Sequence, residues 1–429
     1  MESRLLRHPA APALGIFLVA LAIRLVFGLV VHRPGDFIDS DMWVYDLRAE
    51  HLRSGELGPW DTFTPVGYPA FLAALYAVSG KSFTFVAVVQ ALLGAGTAAI
   101  AWALALRITR DGRVALLAGA VTALHLPLVL YGGLLLSETL FTFLLAAGTL
   151  LLLRMAERPS AARALGAGLA LGAATVVRPN LLLFLPALPL WLFFAVPGAR
   201  RALRLAALVL AGTLPVLAAA CVHNSQLMGR PTGLATNGGL NFYLAHAEVA
   251  GIHFRERGYD HKIYPLPNML RYQGHQRTRV PLYEERHFYG KAFALIAKDP
   301  ALLLRSLENV RIGFNQTKLQ FWPGMPGHER LLDRYGRLCF PLLLLPALLS
   351  LVVSCRRIFA REEAGRLLLA FLICSAILTL WLFLGDPRMR VPFDLFFAIL
   401  TADAFVRASG WLDARIRKLL GQEELAGGG

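Results

Sequence analysis

The residues best suited to chemistry lie in DFIDSDMWVYDLRAEHLRSG, where Asp36, Asp39 and Asp41 stand close together between two apolar runs. A carboxylate can take a proton from a hydroxyl group or hold a divalent cation. Asp39, Asp41 and the distant Glu138 of LLLSETLF are the candidate ligands if a metal is used. Charge of the opposite sign sits at Arg178 in TVVRPN and at Arg388 and Arg390 in GDPRMRVP, with Arg24 inside the first apolar run. A guanidinium fork matches phosphate oxygens. Carboxylates and guanidinium groups gathered on one face of a membrane suit a site that meets a polar hydroxyl from the water side and an anionic lipid phosphate from the bilayer. The bland reading of each arginine is a lipid-headgroup anchor, and of Glu138 a helix N-terminal carboxylate with Ser137 as cap.

The elements that must position these groups are membrane spans. The chain has 429 residues, 56% of them hydrophobic, with a mean hydropathy of +0.54. Apolar runs near the length needed to cross about 30 Å of hydrocarbon recur throughout. The expected fold is an all-α polytopic membrane protein of roughly ten spans. They are placed at 10–31, 83–106, 114–136, 139–153, 165–177, 181–196, 203–222, 338–353, 367–384 and 392–406. The formal charge of +15 does not indicate nucleic acid, because the arginines cluster at span ends beside anionic lipid. With residue 1 inside, each cluster (Arg107 to Arg113, Arg154 to Arg163, Arg200 to Arg204, Arg356 to Arg366, and the Arg415 to Lys418 tail) falls on the inner side. Both termini are therefore expected in the cytoplasm of a plasma (inner) membrane protein, with Asp41 outside.

Three regions follow: 1–222 as a transmembrane core with its first outer loop at 32–81, 223–337 as an extracytoplasmic region, and 338–429 as C-terminal spans and tail. Within the loop, 41–52 reads as a helix capped by Ser40 and stopped by Gly55, with Tyr45, Ala49 and Leu52 as its apolar stripe and Asp46 and Arg48 facing elsewhere. Residues 65–79, including Tyr68, are apolar but too short to span, which suggests an interfacial helix. The outer region opens on TNGGLNFYLAHA, where Gly238 and Gly239 after Asn237 permit a tight turn. It continues as mostly helical chain, with 283–314 as one or two amphipathic helices. His246, His253, His261, His275 and His287 lack tight metal spacing, so solvated or substrate-facing roles are expected of them. A disulfide between Cys221 and Cys339 is an open option.

FIDSDMWVYDLRAEHLRSG followed by TPVGYPAFLAALYAVSG resembles the first-loop signature of polyprenyl-phosphate-dependent, C-type membrane glycosyltransferases. The closest group is glycosyltransferase family 39, the dolichyl-phosphate-mannose–protein mannosyltransferase-like proteins. LSETLFTFLLAAGTLLLLR, ATVVRPNLLLFLPALPLWL, TNGGLNFYLAH and GDPRMRVPFDLFF match further blocks in the same order. The resemblance implies sugar transfer on the outer face, from a polyprenyl-phosphate donor to a glycan, lipid or protein acceptor, with inversion. It places the catalytic carboxylate at Asp41, since Tyr45 follows four residues later, with Asp39 as fallback and Glu138 as the second acidic position. Arg178, Arg388 and Arg390, with Arg24 as a further candidate, become donor phosphate-binding residues; Tyr45, Tyr68, Asn237, Gly238 and Gly239 fall in substrate loops. No organic cofactor is implied, and a divalent cation stays open. The chain departs from the pattern at Asp41-Met42, where protein mannosyltransferases carry Asp-Glu, and at Ala245-His246, where the family has Gly-Asn. Two other classes compete. A lipid transporter or flippase predicts repeated halves and midplane charges, neither of which the sequence shows. A noncatalytic envelope-assembly protein predicts indifference to neutralising Asp41.

Overall fold

The computed structural model describes residues 10–36, 38, 40–247, 252–256, 259–263, 276–315 and 328–419. Asp39 and the side chains of His261 and His275 therefore lie outside the described residues. Helix α1 (Ala10–Val26) runs into a π turn at Phe27–Val31. The first loop supplies α2 (Asp41–Ser54) and α3 (Gly67–Ser79). Long helices follow as α4 (Phe83–Thr109), the broken pair α5 (Gly112–Leu124) and α6 (Leu126–Gly132), then α7 (Glu138–Glu157) and α8 (Ala161–Val177). Next come α9 (Leu188–Ala195) and α10 (Ala199–Met228).

Among the described residues six helices are long and apolar enough to cross a membrane, or seven if the pair bent by 49° at His125 counts as one span. The difference from ten has a physical origin. Gly67–Ser79, Ala161–Val177 and Pro179–Ala195 are apolar but short; a 17-residue helix such as α8 reaches only about 26 Å. The expected unbroken span over 114–136 bends because Pro127 opens a new helix after His125, whose backbone is extended. Residues 181–196 begin as 3₁₀ turns before α9.

Helix α2 extends two residues past the expected end and stops at Gly55, whose φ of +80° suits a residue without a Cβ. Ser40 occupies the N-cap position, but its φ is +50° and its hydroxyl caps no helix N–H. The inner face of α2 is wider than its apolar stripe. Asp46 and Arg48, expected to point away, are both buried. Asp46 accepts from Tyr76 Oη at 2.9 Å and pairs with Lys81 Nζ at 2.7 Å; Arg48 donates to Thr64 Oγ1 at 3.1 Å. Asp46 is turned inward against the Lys81 cation, whereas Arg48 is held there by the neutral hydroxyl and carbonyl oxygens of Thr64.

The outer region, expected to be mostly helical, also contains three short strands. After α11 (Gly238–His246) come β1 (Ile252–Glu256), β2 (Tyr259–Ile263) and β3 (Gln276–Thr278), in the order β2-β1-β3. Strands β1 and β2 are antiparallel with Ile252 opposite Ile263; β1 and β3 are parallel with Ile252 opposite Gln276. Strands this short carry little period-two signal. Three helices, not one or two, follow: α12 (Glu285–Lys298), α13 (Ala301–Arg305) and α14 (Leu307–Asn315). Gly238 and Gly239 begin α11 rather than make a tight turn. A Cβ on Gly239 would meet Glu285 O at 2.2 Å, so this glycine lets α11 lie directly on α12. His246 is buried on the Phe242 ring, 4.5 Å between centroids, and is not solvated.

The chain closes with α15 (His328–Cys339), α16 (Leu345–Ser354), α17 (Ala364–Leu382), the short α18 (Pro387–Arg390) and α19 (Asp394–Leu419). Cys221 and Cys339 are free thiols.

Candidate active site

Four segments distant in sequence meet at one point: the start of α2, the start of α7, the end of α8 and α18. Asp41 opens α2 and Glu138 opens α7, so each carboxylate sits where the helix dipole favours negative charge. Arg178 ends α8 as its C-cap. Arg388 lies in α18, whose N-cap Asp386 accepts the Arg388 backbone N–H at 2.9 Å.

Arg388 is the hub. Its Nη1 donates to Asp41 Oδ2 at 2.7 Å and its Nε to Glu138 Oε1 at 2.6 Å. Arg178 Nη1 donates to the same Glu138 oxygen at 2.8 Å and to Ser137 Oγ at 3.0 Å. Ser137 therefore serves the cluster and caps no helix N–H. Glu138 is more than a lone end-of-helix charge, since two guanidinium groups converge on one of its oxygens. The other oxygen, Oε2, has no partner among the described residues. Glu138 is fully buried, Arg178 and Arg388 nearly so, whereas the Asp41 side chain keeps 41% of its exposure. The cluster is closed at Glu138 and open at Asp41.

The electrostatics follow from this packing. Burial works against the Arg388 cation, but the Glu138 and Asp41 carboxylates outweigh it and hold its pKa well above the ordinary value. Asp386 is pushed up by burial, with Arg388 opposing. Tyr45 is raised by burial and then by the Asp41 charge, so its hydroxyl stays protonated; it approaches Ser137 Oγ at 3.5 Å.

The remaining sequence candidates are distributed otherwise. Tyr45 and Tyr68 are buried and meet edge to face at 5.0 Å, and Tyr68 donates to Gln90 Oε1 at 2.9 Å. Both are interior side chains, Tyr45 on α2 and Tyr68 on α3. Asn237 is tied by its backbone N–H to Phe63 O at 3.1 Å. Arg390, only two residues from Arg388, points elsewhere. It pairs with Asp394 at 3.0 Å and donates to Gly313 O at 3.0 Å. Asp394 also meets His125 Nε2 at 2.8 Å, and His125 Nδ1 lies 2.7 Å from Tyr335 Oη. Arg24 bonds backbone carbonyls of Ala123 and Thr122 at 3.0 and 3.4 Å. Neither Arg390 nor Arg24 bonds directly to the Asp41–Glu138 group. Ser137, Met389 and Asp386 were missed from sequence. Met389 Sδ lies 3.2 Å from Arg178 Nη2, and only its place between Arg388 and Arg390 hinted at a role.

No group of three or more His, Cys, Asp or Glu side chains with metal-holding geometry stands among the described residues. Asp41 and Glu138 share Arg388 instead, so a cation between them would have to displace a guanidinium group.

The fold and the cluster define a class: multi-pass helical membrane proteins with a charged site at the start of the first loop helix. Residues 64–223 match the family described as dolichyl-phosphate-mannose-protein mannosyltransferase. The fold is shared with solved structures of the oligosaccharyltransferase of Archaeoglobus fulgidus. One is tethered to an acceptor peptide (15% identity, TM-score 0.52, 94% of this chain and 50% of that one). Another, called AglB, is in complex with an inhibitory peptide and a dolichol-phosphate (13% identity, TM-score 0.51, 97% and 52%). The chain thus spans about half the length of these proteins. ArnT from Cupriavidus metallidurans, solved with undecaprenyl phosphate, aligns at a TM-score of 0.40 and 13% identity over 94% of this chain and 80% of that one, too weak to carry an argument. A comparison with curated protein sequences gives no match.

Proposed function

We propose that this protein is an integral-membrane glycosyltransferase that moves a sugar from a polyprenyl-phosphate donor to an acceptor hydroxyl on the extracytoplasmic face, with inversion. The observation that carries the reading is Arg388 bonded at once to the half-exposed Asp41 and the buried Glu138. It sets a base and a phosphate-binding cation side by side at an open edge. Asp41 is the general base and takes the acceptor O–H proton. The acceptor oxygen attacks the anomeric carbon, and the bond from that carbon to the phosphate oxygen breaks, its electron pair leaving with the polyprenyl phosphate. Arg388 and Arg178 share the growing phosphate charge, and Glu138 holds the two guanidinium groups in place. A phosphate needs little protonation once arginines share its charge, so one base suffices.

The topology that goes with this reading puts both termini in the cytoplasm and Asp41 outside. A cysteine placed at position 41 should react with a membrane-impermeant reagent on intact cells. Reaction only after permeabilisation overturns the orientation. Transfer itself is tested in proteoliposomes by following release of free polyprenyl phosphate from a sugar-loaded donor. Release by the wild-type protein and its loss in Asp41→Asn is the expected result; equal rates in both overturn the reading.

A further inference from the structure

Beside the cluster a small cavity is lined by α1, α4, α6 and α7. Its lining includes Arg24, Gly94, Tyr131, Glu138 and Thr139. Its volume of about 10 Å³ is near the smallest space that holds one water molecule. Three polar atoms of the lining are buried and have no partner among the described residues: Arg24 Nε, Glu138 Oε2 and Thr139 Oγ1. Two other threonines of the wall are satisfied on their own helices, Thr97 by Leu93 O at 3.0 Å and Thr142 by Glu138 O at 2.6 Å. Arg24 Nε is a donor, Glu138 Oε2 an acceptor and Thr139 Oγ1 can be either, three groups of the number and kind that a buried water usually bonds.

We propose that this cavity is a binding site for one water molecule, through which Arg24 acts as a positioning residue on Glu138. The proposal rests on the reading in which Glu138 organises the two arginines. Both of those arginines bind Oε1. A carboxylate held by one oxygen alone can turn about its last bond, and a partner on Oε2 fixes the plane. Arg24 is suited to supply it, because its other nitrogens are anchored to the carbonyls of Ala20, Thr122 and Ala123. Gly94 makes room: a Cβ there would stand 2.4 Å from Arg24 Nε and 2.7 Å from its Cδ. Cation, acceptor and hydroxyl thus come from α1 and α7, and the glycine that admits the cation comes from α4.

The competing account has Arg24 only bracing the carbonyl end of α5. Variants that spare those carbonyl bonds separate the two. Thr139→Val removes the hydroxyl at nearly constant volume, and Thr139→Ser keeps it. In proteoliposomes Thr139→Val should lower kcat about tenfold, the scale of one hydrogen bond, with donor KM and Tm little changed. Thr139→Ser should stay within about twofold of wild type on the same scale. Wild-type kcat in Thr139→Val, alongside an inactive Asp41→Asn, overturns the water bridge and leaves the transferase reading standing. A high-resolution density map decides independently of activity. Density within hydrogen-bond distance of all three atoms is expected, and a dry cavity overturns the proposal whatever the protein transfers.

Discussion

Arg388 and Arg390 stand two residues apart in GDPRMRVPFD and enter two different ionic networks. Arg388 joins Asp41 and Glu138; Arg390 joins Asp394, which in turn meets His125. Both networks pair buried guanidinium groups with carboxylates. Only the first has an open edge, since Asp41 keeps 41% of its side-chain exposure and Asp394 none. The Arg390 network ties α18 and α19 to the α5–α6 break and to α15, and its Arg390, Asp394 and His125 side chains are buried. The contrast separates two uses of the same residue type: a closed network fixes where the segment sits, and the open one leaves charge for chemistry. Arg390, expected from sequence to face phosphate, is bonded to Asp394 and to Gly313 O rather than to the Asp41–Glu138 group.

The contrast can be broken from either side. The largest effect should come from Asp41→Asn, which keeps size and hydrogen-bonding shape but removes the basic oxygen. Transfer should fall at least about a hundredfold, the low end of general-base catalysis, while the melting temperature hardly moves. Asp39→Asn should do less, and the reverse order in transfer assays would move the base to Asp39. Arg390→Ala should show the opposite profile. Stranding the buried Asp394 costs about 3–5 kcal/mol of stability, read by thermal unfolding in detergent. A correctly folded Arg390→Ala with a selective rise in donor KM would return Arg390 to the phosphate site.

A smaller effect is expected of Arg388→Lys, which keeps the charge beside Glu138 and Asp41 but loses the planar fork. Loss of one charge-assisted contact, about 1.5–3 kcal/mol, should appear as a raised KM for the lipid donor. The smallest effect concerns Asp386. Burial raises its pKa above the ordinary 3.8 despite Arg388, so the folded state holds this proton more tightly than the unfolded chain. Its contribution to stability is full below the ordinary value and is lost as pH rises through the folded one. Asp386→Asn should remove that slope: wild type and variant should melt alike in acid, and the wild type should fall behind as pH rises. Parallel curves at all pH values would count against the assignment.

How much of this was legible depended on distance along the chain. Glu138 and Arg178 were picked out because each interrupts an apolar run, yet their contact spans 40 residues and the Arg388–Asp41 contact spans 347. Asp46 and Arg48 were misread because an amphipathic pattern registers apolar residues only. It is blind to a charge buried against Tyr76, Lys81 or Thr64 on the next segment. Strands β1 to β3 escaped because segments of three to five residues carry almost no period-two signal, and β1 meets β3 across 24 positions of chain (Ile252 to Gln276).

By itself the sequence determined that this is a many-helix membrane protein with a short acidic loop whose helix starts at Asp41 and stops at Gly55. Spans and helix ends follow from summed hydropathy and from backbone preferences within a few residues, both local properties. Only the tertiary structure decided that Arg388 rather than Arg390 meets Asp41, and that Ser137 serves Arg178 instead of capping α7. It alone decided that Arg24 and Glu138 share one cavity. Two arginines in the same tripeptide have the same chemistry and nearly the same local context. What separates them is the direction each side chain leaves α18 and which carboxylate the packing of α2, α7 and α19 has put there.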